Sequence, residues 1–270
     1  MKLRQAWELV GIKQKPKIYG FEVRQQHFEG TDIEYAQWQH PKAYDCCVQD
    51  SEVSRLRKFL KPGDVAIDIG AHMGDSTLPM ALTVGQQGLV IALEPNAYVF
   101  PVLEANAKLN VDKTNIQAHP HAITHSEGKL TFSYGDAGFM NGGSVDKTRW
   151  FRWENPYHQT VQGVRLDEFL ADHYPGVRDK IRFVKIDAEG YDYFVLQSMP
   201  ELLESVRPYV QLEIMHGTPR SYRDGIFQLL TDRHYKLQRL TNAENDSAIA
   251  KPSDMYDVED FDIFCSPHAV

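Results

Sequence analysis

The sequence predicts an α/β protein built on a doubly wound, mostly parallel sheet. Three observations carry that expectation. Short runs rich in Val and Ile recur from DVAIDIG onward; most are followed by a stretch with helical spacing of apolar residues; and the last two runs have no helix between them. Strands covered on both faces read as continuous apolar runs, and parallel neighbours need a crossover, so this rhythm signals βαβ units. A terminal pair without a crossover signals a closing antiparallel hairpin.

Taken in order, residues 1–50 carry scattered aromatics (Trp7, Tyr19, Phe21, Phe28, Tyr35, Trp38, Tyr44) and no sustained period. They are expected to form an N-terminal extension packed on a main domain spanning 51–270. SEVSRLRKFL places Val53, Leu56, Phe59 and Leu60 at the three-and-four spacing of a half-buried helix, which Lys61-Pro62-Gly63 stops. Then come DVAIDIG with a helix from about Gly74, LVIALEP with a helix through VFPVLEANAKLN, and the run NIQAHPHAI. RFVKIDAEG leads into a helix through FVLQSM, and PYVQLEIMH into one around FQLLTDR. YKLQRL and DIFC close the chain. The rhythm breaks at an aromatic, glycine-bearing insertion at about 135–160, where substrate specificity is expected to reside.

Composition narrows the function. The chain has 270 residues, 42% of them hydrophobic, enough for one large core. Its 29 Lys and Arg against 37 Asp and Glu give a net charge of −8, which argues against a nucleic-acid backbone as partner and for a small organic substrate. A homo-oligomer is compatible with this composition. Three cysteines, two of them adjacent (Cys46, Cys47), make neither a disulfide framework nor a zinc pair. Neither a cleavable leader nor a run of about 20 apolar residues is apparent, so a cytoplasmic enzyme without a transmembrane segment is expected.

In a doubly wound sheet, ligands bind beyond the carboxyl ends of the strands. The first run ends Asp68-Ile69-Gly70-Ala71-His72-Met73-Gly74-Asp75, where Gly70 and Gly74 let the backbone turn sharply and the following helix offers free N–H groups to an anion. The spacing is neither that of dinucleotide dehydrogenases nor that of nucleotide hydrolases. The second run ends Leu93-Glu94-Pro95-Asn96. An acidic residue at this distance from the glycines either binds a ribose diol or stands beside an N-cap supplied by Asn96.

Together these pieces, with Val184-Lys185-Ile186-Asp187-Ala188-Glu189-Gly190 and Leu212-Glu213-Ile214, resemble the FkbM family of S-adenosylmethionine-dependent methyltransferases from about Asp50 to the C-terminus. The resemblance implies a Rossmann-like class I methyltransferase fold, with a seven-stranded sheet whose last strand is antiparallel. It also implies S-adenosyl-L-methionine as cofactor. By resemblance Asp68, Gly70, Gly74, Asp75 and Ser76 surround its methionine part, Glu94, Pro95 and Asn96 its ribose, and His121 and Ala122 its adenine. His72 stands where the family usually has Asn. Either it holds the same positive-φ backbone or it touches cofactor or substrate.

Methyl transfer from a sulfonium is an in-line displacement with an activated donor, so alignment dominates, and a hydroxyl acceptor gains further from a general base. Asp187 and Glu189 past the fourth run, and His216 past the fifth, are the candidate catalytic residues, with Lys185 placed to pair with a carboxylate. The carboxylates could equally bind backbone and cofactor without moving a proton. Asn141, Ser144, Trp150, Arg152 and Trp153 are candidate substrate residues, the aromatics forming either a lid or a subdomain core. His119, His121 and His125 lack the spacing of a zinc site. O-methylation of a sugar or secondary metabolite is the expected activity, by family resemblance. Its rivals are N-methylation of an amine, a binding protein without turnover, and a nicotinamide oxidoreductase, which the glycine spacing disfavours.

Overall fold

A computed structural model describes residues 15–140, 157–240 and 247–268. The chain opens with an antiparallel ribbon, β1 (Phe21–Phe28) and β2 (Thr31–Trp38), where the sequence shows no sustained period. The signal is missing because β1 is exposed along nearly its whole length whereas β2 buries Ile33, Tyr35, Ala36, Gln37 and Trp38 in succession. Helix α1 (Asp50–Leu56) follows, shorter than the pattern suggests.

The core alternates as expected: β3 (Val65–Ile69), α2 (Thr77–Val84), β4 (Leu89–Leu93), α3 (Phe100–Lys108) and β5 (Ile116–His119). The run NIQAHPHAI is divided at Pro120. Its second half, β6 (His121–Ile123), joins β7 (Gly128–Tyr134) and β8 (Tyr157–Val164) in a separate three-stranded sheet ordered β6-β8-β7. The expected insertion is thus flanked by the arms of an antiparallel pair, while 141–156, with Asn141, Ser144, Trp150, Arg152 and Trp153, lies outside the described residues. After α4 (Leu166–His173) come β9 (Ile181–Ile186), α5 (Asp192–Leu196), β10 (Tyr209–Ile214) and α6 (Arg220–Thr231). The chain closes through β11 (Tyr235–Arg239), β12 (Ser247–Ile249) and β13 (Phe261–Pro267).

The main sheet runs β12-β11-β13-β10-β9-β3-β4-β5. It has eight strands rather than seven, because the short β12 pairs along the outer edge of β11. From β10 to β5 every neighbour is parallel, and β13, the last strand, is antiparallel to both β10 and β11. Alternation sorts each strand between two cores. Val65, Ile67 and Ile69 face α4, α5 and α6, whereas Ala66, Val90 and Ala92 face α1, α2 and α3. The ribbon shares a third cluster with the glycine turn and α3, through Trp38, Met73, Leu78, Val99 and Val102. No helix among the described residues is long and apolar enough to cross a membrane.

Candidate functional site

The carboxyl ends of β3, β4 and β9 meet around Gly70. Its N–H donates to the Leu93 carbonyl at 2.9 Å, and Asp187 N–H donates to Ile69 at 2.9 Å. Gly70 has a φ of +79°, and a Cβ there would overlap the Asp187 carbonyl oxygen, so only glycine lets the two strand ends close together. The turn then carries His72 at φ 48° and Gly74 at φ 97° before α2 begins.

A cleft opens above these strand ends in two halves that share Gly70, Glu94, Asp187 and Glu189. The apolar half spans about 530 Å³ including solvent at its mouth, and its walls include Leu93, Pro95, His121, Ala122, Phe132 and Tyr134. The polar half, about 660 Å³ on the same basis, is walled by Tyr44, His72, Asp75, Ser76, Met140 and Lys185. A flat, largely apolar ring fits the first half and a zwitterionic chain the second. His121 Nδ1 is buried against the apolar half with no hydrogen-bond partner among the described residues, a ready contact for a heteroaromatic edge.

Glu94 stands between the halves. It is buried, and its two oxygens accept the N–H groups of His72 at 2.9 Å and Asn96 at 2.7 Å. Burial pushes its pKa up to about 7, against the pull of those two N–H groups. A carboxylate has about four acceptor positions, so capacity remains for a diol. Glu94 thus serves both the glycine turn, through His72, and the turn that Asn96 opens before α3. Asn96 also faces away from the cleft, donating to Phe139 O at 2.7 Å and accepting from Tyr98 N–H.

Lys185 is the cation of the polar half. Its Nζ lies 2.9 Å from Asp187 and 3.9 Å from Asp68. Burial alone would push the ammonium down, but Asp187, Asp68 and Asp75 outweigh it and hold Lys185 above its ordinary range. Asp68 itself is fully buried beneath the turn, accepting the hydroxyls of Ser76 at 2.9 Å and Thr77 at 2.6 Å. It braces the start of α2 and is absent from both walls of the cleft. Gly74 is absent from both walls too, and a Cβ there would point at Leu103 and Asn106 of α3.

His72 occupies the positive-φ position expected of it and also lines the polar half. Its Nε2 lies 3.2 Å from the Met140 carbonyl. A carbonyl only accepts, so Nε2 carries the proton, and burial pushes the ring below its ordinary pKa. His216 belongs elsewhere. It is exposed beyond β10, 3.0 Å from Glu259, with its N–H on Asp260, and it is absent from both walls. Asp187 and Glu189 line both halves of the cleft, and His216 lines neither. Sequence reasoning missed Tyr44, Phe132 and Tyr134. The alternation of Phe132 and Tyr134 along β7 was a readable signal; Tyr44 had none, because it arrives through tertiary packing of the ribbon.

The Methyltransferase FkbM domain matches residues 68–237, more than half of the chain. The protein belongs to the FkbM methyltransferase family. Its cofactor is S-adenosyl-L-methionine, and the two halves of the cleft suit that molecule's adenine and aminoacyl ends. Solved structures similar to this chain include a methyltransferase FkbM from Methylobacillus flagellatus, at 12% identity and a TM-score of 0.47. The match covers 80% of this chain and 50% of that one, so this chain spans about half the length of that protein. An S-adenosylmethionine-dependent O-methyltransferase from Thermotoga maritima matches at 11% identity and a TM-score of 0.44, over 93% of this chain and 79% of that one. A methyltransferase-like protein from Streptococcus mutans, in complex with S-adenosylhomocysteine, matches at 10% identity and a TM-score of 0.44, over 81% and 98%. No curated protein sequence matches this chain.

Proposed function

We propose that this FkbM methyltransferase is an O-methyltransferase acting on a hydroxyl group of a sugar or secondary metabolite in the cytoplasm. The observation that carries the hydroxyl reading is the Lys185 ammonium, 2.9 Å from the Asp187 carboxylate in the polar half of the cleft. A hydroxyl acquires negative charge as its proton leaves, and a fixed ammonium stabilises that charge. An amine acquires positive charge as it is methylated, and the same ammonium opposes it.

The cofactor, when bound, supplies a methyl group on a positively charged sulfur. The chain's own residues do the rest. Glu94 accepts hydrogen bonds from a diol, and Gly70 lets the strand ends approach the ligand. Asp187, on the wall shared by both halves, is placed to take the acceptor's proton as the general base. Glu189 shares that wall and shapes the acceptor's approach. Lys185 orients Asp187 and donates to the acceptor oxygen.

The test offers matched acceptors that differ only in carrying a hydroxyl or an amine, with transfer of a labelled methyl group as readout. Turnover on hydroxyl acceptors, with Lys185→Met reducing it about a hundredfold, supports the proposal. Turnover confined to amines replaces it with N-methylation. Cofactor binding without turnover on any acceptor would favour a binding protein.

A further inference from the structure

The charges of the polar half are unevenly matched. Asp187 faces the Lys185 ammonium, and Glu94 accepts two backbone N–H groups. Asp75, at the end of the glycine turn, receives only a neutral donor, the Tyr44 hydroxyl, at 2.7 Å on its Oδ2. Its Oδ1 has no hydrogen-bond partner among the described residues. Lys185 does not reach it as an ion pair, its carboxylate neighbours within 4 Å being Asp68 and Asp187.

Tyr44 is held in place by more than this bond. The buried amide of Gln37 on β2 donates from Nε2 to the Tyr44 carbonyl at 2.9 Å and accepts the Cys46 N–H on Oε1 at 2.9 Å. Both backbone neighbours of the ring are therefore fixed by one side chain. Burial, and then the adjacent Asp75 charge, push the Tyr44 phenol above its ordinary range, so it stays protonated and remains a donor. With Oδ2 pinned, the Asp75 carboxylate is fixed in one rotamer and its second oxygen is available to a cation. Tyr44 lies outside residues 68–237, so this contribution comes from the N-terminal ribbon rather than from the matched segment.

We propose that Tyr44 is a positioning residue for the cofactor's aminoacyl end, holding the Asp75 carboxylate against the α-ammonium group. The proposal rests on the S-adenosylmethionine reading of the cleft. Two ligands separate the ends of that cleft: S-adenosylhomocysteine, which has the aminoacyl group, and 5′-methylthioadenosine, which lacks it. Calorimetry on the wild type, Tyr44→Phe, Asp75→Asn and the double variant measures both.

Tyr44→Phe is expected to weaken S-adenosylhomocysteine about fivefold, as for one neutral hydrogen bond, and Asp75→Asn about twentyfold. Affinity for 5′-methylthioadenosine should stay within about twofold, and the double variant should bind no more weakly than Asp75→Asn. Equal losses for both ligands, additive losses in the double variant, or unchanged S-adenosylhomocysteine affinity in Tyr44→Phe would each overturn the proposal while leaving the cofactor reading intact. Failure of the wild type to bind either ligand at millimolar concentration would overturn both.

Discussion

Asn106 of α3 completes the outer edge of β2 at Ala36: its Oδ1 accepts the Ala36 N–H at 2.7 Å and its Nδ2 donates to the Ala36 carbonyl at 3.1 Å. Just past the end of α3, Asn110, at φ 55°, makes the same two bonds to Glu34, each at 2.8 Å. Asn106 also donates to Met73 O at 2.7 Å, which ties the ribbon to the glycine turn. Asn106→Ala would leave three buried backbone groups without partners and is expected to cost roughly 2–4 kcal/mol. Denaturant unfolding measures it, and a loss below about 1 kcal/mol would show that water or rearrangement replaces these bonds.

His72 combines a backbone demand with a side-chain bond. Its positive φ suits Asn and penalises β-branched residues, and its ring holds Met140. His72→Asn should therefore keep stability within about 1 kcal/mol, while His72→Val should cost roughly 1–3 kcal/mol and weaken cofactor binding by misplacing the N–H that Glu94 accepts. Thermal melts and S-adenosylhomocysteine titrations distinguish the two. Equal stability of both variants would remove the backbone strain from the account.

The strands of the main sheet were legible because burial on both faces writes them as apolar runs: VAIDI, LVIAL and YVQLEI stand almost unbroken. Glu94, Asp187 and Gly70 were legible for a related reason, since strand ends are where such folds place ligands. The burial of Asp68 was not legible, because its position in a motif does not say which way its side chain turns; the hydroxyls of Ser76 and Thr77 draw it under the turn. The outward turn of His216 was not legible, because it follows from contacts with Glu259 and Asp260, more than 40 residues further along the chain. Tyr44 and Gln37 were silent, because no period or motif joins Tyr44 to Asp75, 31 residues on, or Gln37 to the backbone of Tyr44 and Cys46.

Glu94 makes cofactor binding depend on pH. With its pKa raised from 4.5 to about 7, the folded protein without ligand holds a proton that the unfolded chain has lost, so this group's contribution to stability falls as pH rises from about 4.5 to about 7. Hydroxyl donors favour the ionised form, so binding a ribose releases that proton. Affinity for S-adenosylhomocysteine is then expected to rise roughly tenfold between pH 6 and pH 8 and to level off above. Calorimetry in buffers of different ionisation enthalpy counts the protons released. Glu94→Gln should bind more weakly and lose the slope; a slope retained in that variant assigns it to another group.

Asp187 and His216 give opposite expectations for turnover. Asp187 lies on the wall common to both halves of the cleft and 2.9 Å from Lys185, whereas His216 is exposed and paired with Glu259. Asp187→Asn keeps shape and can still accept a hydrogen bond from Lys185, but it cannot take a proton. It should lower kcat on a hydroxyl acceptor by about 10²–10⁴, with cofactor affinity changed less than about threefold. His216→Ala should leave kcat within about twofold. The pH profile separates a base from a positioning group, because loss of the base removes the acidic limb of kcat, whereas loss of alignment lowers the whole curve without changing its shape. A lowered but unchanged curve in Asp187→Asn would reassign Asp187 to alignment, and the acceptor would then have to lose its proton to solvent or to Glu189.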